Sequence, residues 1–202
     1  MSPRPRTVDD DAIALALSRV ITKYGPARLT LAAIAKEAGL SPATLVQRFG
    51  SKRNLLVKLS GGAGDIAPLV AQLRLEGKQP LEIVREVLLC YAEMAPTPTA
   101  MIHSFGAYLE IDLADATLRR YLVQSGRRSE ALMAELLEQA AAAGELSVAR
   151  PKPLARALFA LAAGSLLAWA TYREGKARDW LARDIETVLM GGSGRDGAAV
   201  GE

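Results

Sequence analysis

One cysteine and one histidine are all that the 202 residues hold of the two most versatile ligating side chains. A lone Cys90 excludes an internal disulfide and any multi-cysteine metal site, and it fits a reducing compartment. A lone His103 leaves little from which to build a nucleophile–base pair or a metal-hydrolase centre. No Ser/His/Asp spacing and no glycine-rich phosphate loop occurs. Paired carboxylates such as Glu135 and Glu138 fit a solvated helix face. Enzymatic chemistry is therefore not expected, nor is a cofactor or a metal. Aromatic residues are scarce as well, at 5%, β-branched runs are few and no alternating strand pattern appears. No uncharged apolar run reaches the roughly 18–20 residues that cross a bilayer. The longest, ALFALAAGSLLAWATY, is bounded by Arg156 and Arg173 and reads as a buried helix. The opening MSPRPRTVDDD has no apolar core, so no signal peptide is expected. The expected location is cytoplasmic, with no membrane partner.

Alanine, leucine, glutamate and arginine fill the space, and half of the residues are hydrophobic. That composition favours helices around one large core, or a small domain joined to a larger one. The charge is uneven. Residues 1–60 carry ten basic and four acidic side chains, a net of +6, and the remainder is −3. A basic first third on an acidic body suggests an anionic partner at one end.

Punctuation divides the chain further. Residues 1–8, rich in proline and arginine, read as a flexible basic arm from which Arg4 and Arg6 could reach a polyanion. Asp9, Asp10 and Asp11 supply the negative charge that a helix N-terminus favours. Ile13, Leu17, Val20, Ile21 and Tyr24 then recur at helical spacing until Gly25-Pro26 stops the run. Thr30 caps a helix from Leu31 to about Ala38, Gly39 ends it, and Leu40 plugs the core. Ser41 caps the next helix, with Pro42 at its first position, where a missing N–H costs nothing. Leu45 and Phe49 share one face, Gly50 ends the helix, and Ser51 caps a fourth beginning at Lys52. The SGGAG stretch, 60–64, weakens any helix by roughly 1 kcal/mol per glycine and reads as a break or joint. Periodic segments follow at about 65–75, 80–94, 97–112, 115–143, 152–174 and 177–190. The predicted organisation is an arm at 1–8, a small helical domain at 9–60, a larger helical domain at 61–190 and a disordered tail at 191–202.

Isolated helices as short as those between Leu29 and Leu56 are marginal. Two of them joined by a tight glycine turn form a helix-turn-helix, whose second helix turns Ala43, Thr44, Gln47 and Arg48 away from the core. Small and polar side chains let such a helix enter a major groove. The N-termini at Leu31, Pro42 and Lys52 offer free N–H groups to phosphates, with Ser41 at the second, and Thr30 and Arg28 are placed to hold a phosphate beside the first. From caps and polar faces alone, a merely solvated three-helix unit stays open.

The run TLAAIAKEAGLSPATLVQRFGSKRNLL, from Thr30, closely resembles the DNA-binding head of the tetracycline-repressor (TetR) family, over about residues 9–60. The resemblance implies an all-α chain: a three-helix helix-turn-helix head, then a helical ligand-binding and dimerisation bundle. It implies double-stranded DNA as partner. It makes Thr44 and Lys52 phosphate contacts and brings Pro42 and Ala43 close to bases. The family's common recognition helix reads Thr-Leu-Tyr-Tyr-His-Phe, whereas this chain has Thr44-Leu45-Val46-Gln47-Arg48-Phe49. Val46 is then expected at a thymine methyl, and Gln47 or Arg48 at a phosphate or base edge.

For the body, the family layout implies a homodimer through the last two helices and a small-molecule effector. The expected dimer stripes are Leu158, Leu161, Ala162, Ser165, Leu166 and Trp169 on one helix, and Trp180, Leu181, Ile185, Val188 and Leu189 on the other. Effector contacts are expected among Tyr91, Met94, Met101, His103, Phe105, Tyr108, Trp169 and Tyr172, which mix apolar bulk with polar tips. The implied function is a ligand-responsive repressor on a palindromic operator. An activator, or a ligand-independent DNA-binding or interaction module of the same fold, is the alternative.

Overall fold

A computed structural model of the chain describes residues 8–59, 64–94 and 96–191. The expected arm with Arg4 and Arg6, the 60–63 part of the glycine stretch and the tail from 192 lie outside the described residues. Among the described residues the regular structure is helical throughout, as the composition and periodicity predict. The elements are α1 Asp10–Tyr24, a 3₁₀ turn Pro26–Arg28, α2 Leu31–Glu37, α3 Pro42–Phe49, α4 Lys52–Leu59, α5 Ala67–Leu75, α6 Pro80–Glu93 and α7 Pro98–Ala107. A π-helical stretch Tyr108–Asp112 follows, then α8 Ala116–Ala142, α9 Pro151–Tyr172 and α10 Ala177–Gly191. They form two compact units. The first comprises Met1–Ala63 and Thr99–Val123, the second Gly64–Pro98 and Gln124–Glu202.

In the first unit, local chemistry sets the helix ends. The Asp9 carboxylate accepts from the Ala12 N–H at 2.8 Å, with Asp10 and Asp11 in the first turn of α1. Gly25 ends α1 at φ 77°, ψ 173°, a conformation open to glycine almost alone. A Cβ there would also come within 3.1 Å of the His103 ring. The core joins Ile13 and Val20 of α1, Leu29, Ile34 and Ala35, Leu45 and Phe49 of α3, and Leu55 and Leu56 of α4. Tyr24, expected on this inner stripe, is 40% exposed at the last position of α1, with the Lys23 ammonium 5.0 Å from its ring centre.

The Thr99–Val123 segment, which the sequence grouped with 61–190, is stitched into this unit. Leu118 lies in its core. His103 Nδ1 is 2.9 Å from the Thr22 carbonyl oxygen. The Arg53 guanidinium donates to both carboxylate oxygens of Asp115, at 2.6 and 3.2 Å, and to the Thr117 hydroxyl. Asp115 also accepts from the Thr117 and Leu118 N–H groups and so caps α8. Arg53 above all, helped by those two amides, holds the Asp115 carboxyl below its usual 3.8 against partial desolvation.

In the second unit α9 packs on α6 and α10, and α5 on α6. Leu158, Ala162, Ser165, Leu166 and Trp169 of α9, and Leu181, Ile185 and Leu189 of α10, are all buried within the single chain. The stripes expected at a dimer face are thus largely packed within one chain. Leu161, Trp180 and Val188 are half-buried. The outward face of α9 carries Ala157, Ala160, Ala163, Gly164, Leu167 and Thr171 instead. By length and composition α9 as a whole could cross a membrane, which the count of uncharged residues between Arg156 and Arg173 did not reveal. Polar contacts pin the bundle. Arg85 pairs with Glu186 at 2.6 and 3.0 Å, Arg178 with Glu86 and Glu93, and Glu145 accepts from the Leu81 N–H at the start of α6.

Leu45→Ala is expected to destabilise the first unit by about 2–5 kcal/mol, because it opens a cavity in a core of short helices; urea unfolding followed by circular dichroism measures it. A depressed carboxyl stabilises the fold above its unfolded pKa and loses that contribution as pH falls through the folded value. The melting-temperature gap between wild type and Asp115→Asn should therefore be present at neutral pH, begin to narrow as pH falls below the ordinary 3.8 and close only below the lower folded value.

Candidate DNA-binding surface

The turn between α2 and α3 is closed by two backbone hydrogen bonds. The Leu40 N–H donates to the Ala35 carbonyl at 2.8 Å and the Gly39 N–H to Lys36 at 3.3 Å. This is a Schellman turn, with Gly39 in the left-handed region at φ 68° and Leu40 packed on the core. Ser41 then starts α3: its hydroxyl accepts from the Thr44 N–H at 3.1 Å and lies 2.8 Å from the Thr44 hydroxyl. Pro42 takes the first position, and Gly50, at φ 76°, closes the helix with its N–H on the Val46 carbonyl. Thr30 and Ser51 cap α2 and α4 in the same way, accepting from Ala33 and Asn54. Each helix start thus lies next to the first-unit core with a hydroxyl beside its free amides.

Two side chains hold α3 inward: Leu45 is fully buried and Phe49 is 6% exposed. Every other position from Ser41 to Arg48 is exposed. Val46 exposes half of an apolar side chain there, next to Gln47. The predicted contacts Ser41, Pro42, Ala43, Thr44, Val46 and Gln47 therefore share one open face, with Arg28 and Thr30 exposed beside the start of α2.

Two predicted contacts have partners inside the protein. The Lys52 ammonium donates to the Leu29 carbonyl at 3.1 Å, which leaves two N–H bonds for an outside acceptor. Arg48 lies 2.7 Å from Asp10 and donates to the Val8 carbonyl. Sequence reasoning missed Asp10 and Val8 as its partners. Asp10 had a sufficient role as first-turn charge on α1, and nothing in the local pattern singles it out among three successive aspartates.

The expected effector residues are scattered in setting. In the first unit Met101 is buried, His103 and Phe105 are half-buried and Tyr108 is exposed. In the second, Tyr91 is half-buried and meets Phe159 edge-on, with ring centres 6.3 Å apart. Burial pushes the Tyr91 phenol up, and the neighbouring Cys90 adds to the effect. Trp169 is core, its indole N–H donating to the Gly175 carbonyl. Tyr172 is 65% exposed and stacks on Trp180, and Met94 is 63% exposed. Among the described residues no three His, Cys, Asp or Glu side chains are grouped to hold a metal ion.

Residues 13–59 match the family model for bacterial regulatory proteins of the tetR family. Thermus thermophilus FadR, a TetR-family transcriptional repressor solved with lauroyl-CoA, is 23% identical over 96% of this chain and 100% of its own, with a TM-score of 0.59. Bacillus subtilis FadR, a transcriptional regulator solved with stearoyl-CoA, is 15% identical over 91% of this chain and 99% of its own, with a TM-score of 0.65. NalD, the secondary repressor of the MexAB-OprM multidrug efflux pump in Pseudomonas aeruginosa, is 19% identical over 90% of this chain and 96% of its own, with a TM-score of 0.60. At these identities the likeness is one of fold. No curated protein sequence matches the chain. The helix-turn-helix thus falls within residues 13–59, the stretch that matches the tetR-family model, and the rest of the chain shares the fold of these regulators.

Proposed function

We propose that the chain is a cytoplasmic, ligand-responsive transcriptional repressor that binds a palindromic operator as a homodimer. The observation that carries this reading is the open face of α3. A helix whose buried anchors are Leu45 and Phe49 leaves Pro42, Ala43, Thr44, Val46 and Gln47 free for a major groove. The hydroxyl-capped starts of α3 and α4 suit the flanking phosphates. In the proposed complex Val46 meets a thymine methyl, Gln47 a base edge, and Thr44 and Lys52 the backbone.

One half-site is too short for selective control, so two protomers present their α3 helices roughly 34–36 Å apart. The outward face of α9 is the proposed contact between them. Ala160, Ala163 and Gly164 are small and exposed, no atom crowds the Gly164 backbone, and Leu167 stands 44% exposed beside them. Small side chains let two helices approach closely, and a two-fold axis makes the patch self-complementary. A small-molecule effector completes the reading. The acyl-CoA complexes of the two FadR proteins support it, and the half-buried Tyr91–Phe159 pair of the second unit is the proposed apolar contact. An effector that prefers the DNA-incompetent state lowers operator affinity by its differential affinity for the two states and by no more.

Selection of bound fragments from a random duplex pool, followed by salt-dependent binding to the recovered palindrome, tests the reading. Absence of preference for any duplex at moderate ionic strength overturns it. Gln47→Ala should relax discrimination at one base position by about 1–3 kcal/mol. Lys52→Ala should weaken all duplexes alike and lower the salt slope by about one. Leu167→Glu should give monomers in analytical ultracentrifugation, with an unchanged melting temperature and loss of binding to the full palindrome.

A further inference from the structure

Arg48 sits on the DNA side of α3, yet both terminal nitrogens of its guanidinium meet groups of its own chain. One terminal nitrogen lies 2.7 Å from Asp10 Oδ1, and the other donates to the Val8 carbonyl at 2.5 Å. Asp10 Oδ1 is buried and makes no aligned hydrogen bond, so opposite charge holds it against the guanidinium. The second carboxylate oxygen takes the Lys58 ammonium at 3.3 Å. Both cations also lie over the Phe49 ring, at 5.6 and 5.1 Å from its centre. The aspartate, the two cations and the ring thus form one cluster joining α1, α3 and α4.

A guanidinium reads guanine by presenting two parallel N–H donors to O6 and N7. In Arg48 both terminal nitrogens are already committed, to different acceptors. A cation paired with a carboxylate also displaces no counterion from a phosphate, so it adds nothing to the salt dependence of binding. Besides Thr44, assigned to the backbone, the open face of α3 keeps Pro42, Ala43 and Val46, suited to thymine methyls, and Gln47, whose amide matches the N6 and N7 edge of adenine.

We propose that Asp10 is a specificity-determining residue: by holding Arg48 away from the bases, it removes a guanine contact from the recognition helix. The proposal rests on the DNA-binding reading above and assigns Arg48 the opposite role to the base or phosphate contact expected from its place in the sequence. Asp10 acts through Arg48 and touches no DNA itself.

The experiment compares wild type, Arg48→Ala, Asp10→Asn and the double variant by duplex selection and by the salt slope of binding to the selected palindrome. Arg48→Ala should leave both the selected sequence and the slope as in wild type. Asp10→Asn frees the guanidinium. It should add a guanine at one position of each half-site, preferred about tenfold, and steepen the slope by about one per protomer. The double variant should return to the wild-type pattern. The proposal is overturned if Arg48→Ala relaxes a base preference or flattens the slope, since Arg48 would then leave Asp10 on DNA. It is equally overturned if a folded Asp10→Asn protein matches wild type. Melting curves identify a variant that does not fold, and Arg48→Ala then decides alone. Failure of wild type to prefer any duplex sinks the functional reading itself, whereas a wild-type palindrome with an altered Arg48→Ala pattern sinks only this inference.

Discussion

The recognition helix depends on two side chains. Leu45 and Phe49 anchor α3 in a core drawn from α1, α2, α4 and the start of α8. Apolar burial of this kind is non-directional, so it fixes the position of α3 without specifying its other face. Six of its eight residues are thereby released from packing. Orientation then comes from local hydrogen bonds: the Schellman turn at Gly39 and the hydroxyl caps at Thr30, Ser41 and Ser51. A weakly held helix with well-defined ends suits a surface that must meet a rigid external object.

Those same local hydrogen bonds are why the head was legible in the sequence. A serine or threonine before a helix, a glycine after it and a proline at the first position each act within four residues. The bounds of α2, α3 and α4 therefore follow from neighbours alone. Contacts between distant residues were not legible. His103 meets Thr22 and Arg53 meets Asp115 across more than sixty positions, and these pairings bring Thr99–Val123 into the first unit. Charge type alone allows Arg53 many carboxylates, and only the folded backbone selects one. Arg48 with Asp10 is the same case, and there the consequence falls on the candidate site.

The last helices show a different limit. α9 carries two apolar stripes, one of larger side chains with a serine and one of mostly small ones. Periodicity finds both but does not say which packs inward. The stripe with Leu158, Leu166 and Trp169 offers more area and more dispersion contact, so it went to the protomer's own core. The stripe of alanines and Gly164 was left outside. Size, rather than apolar character, separated the two.

That division bears on how two copies would meet. Because the bulky stripe is satisfied within one chain, a newly made molecule could finish folding before any pairing. Pairing through the alanine stripe would be a reversible step between completed bodies, and its extent would follow protein concentration. A cell with few copies would then keep many of them single, and abundance itself would become part of the control.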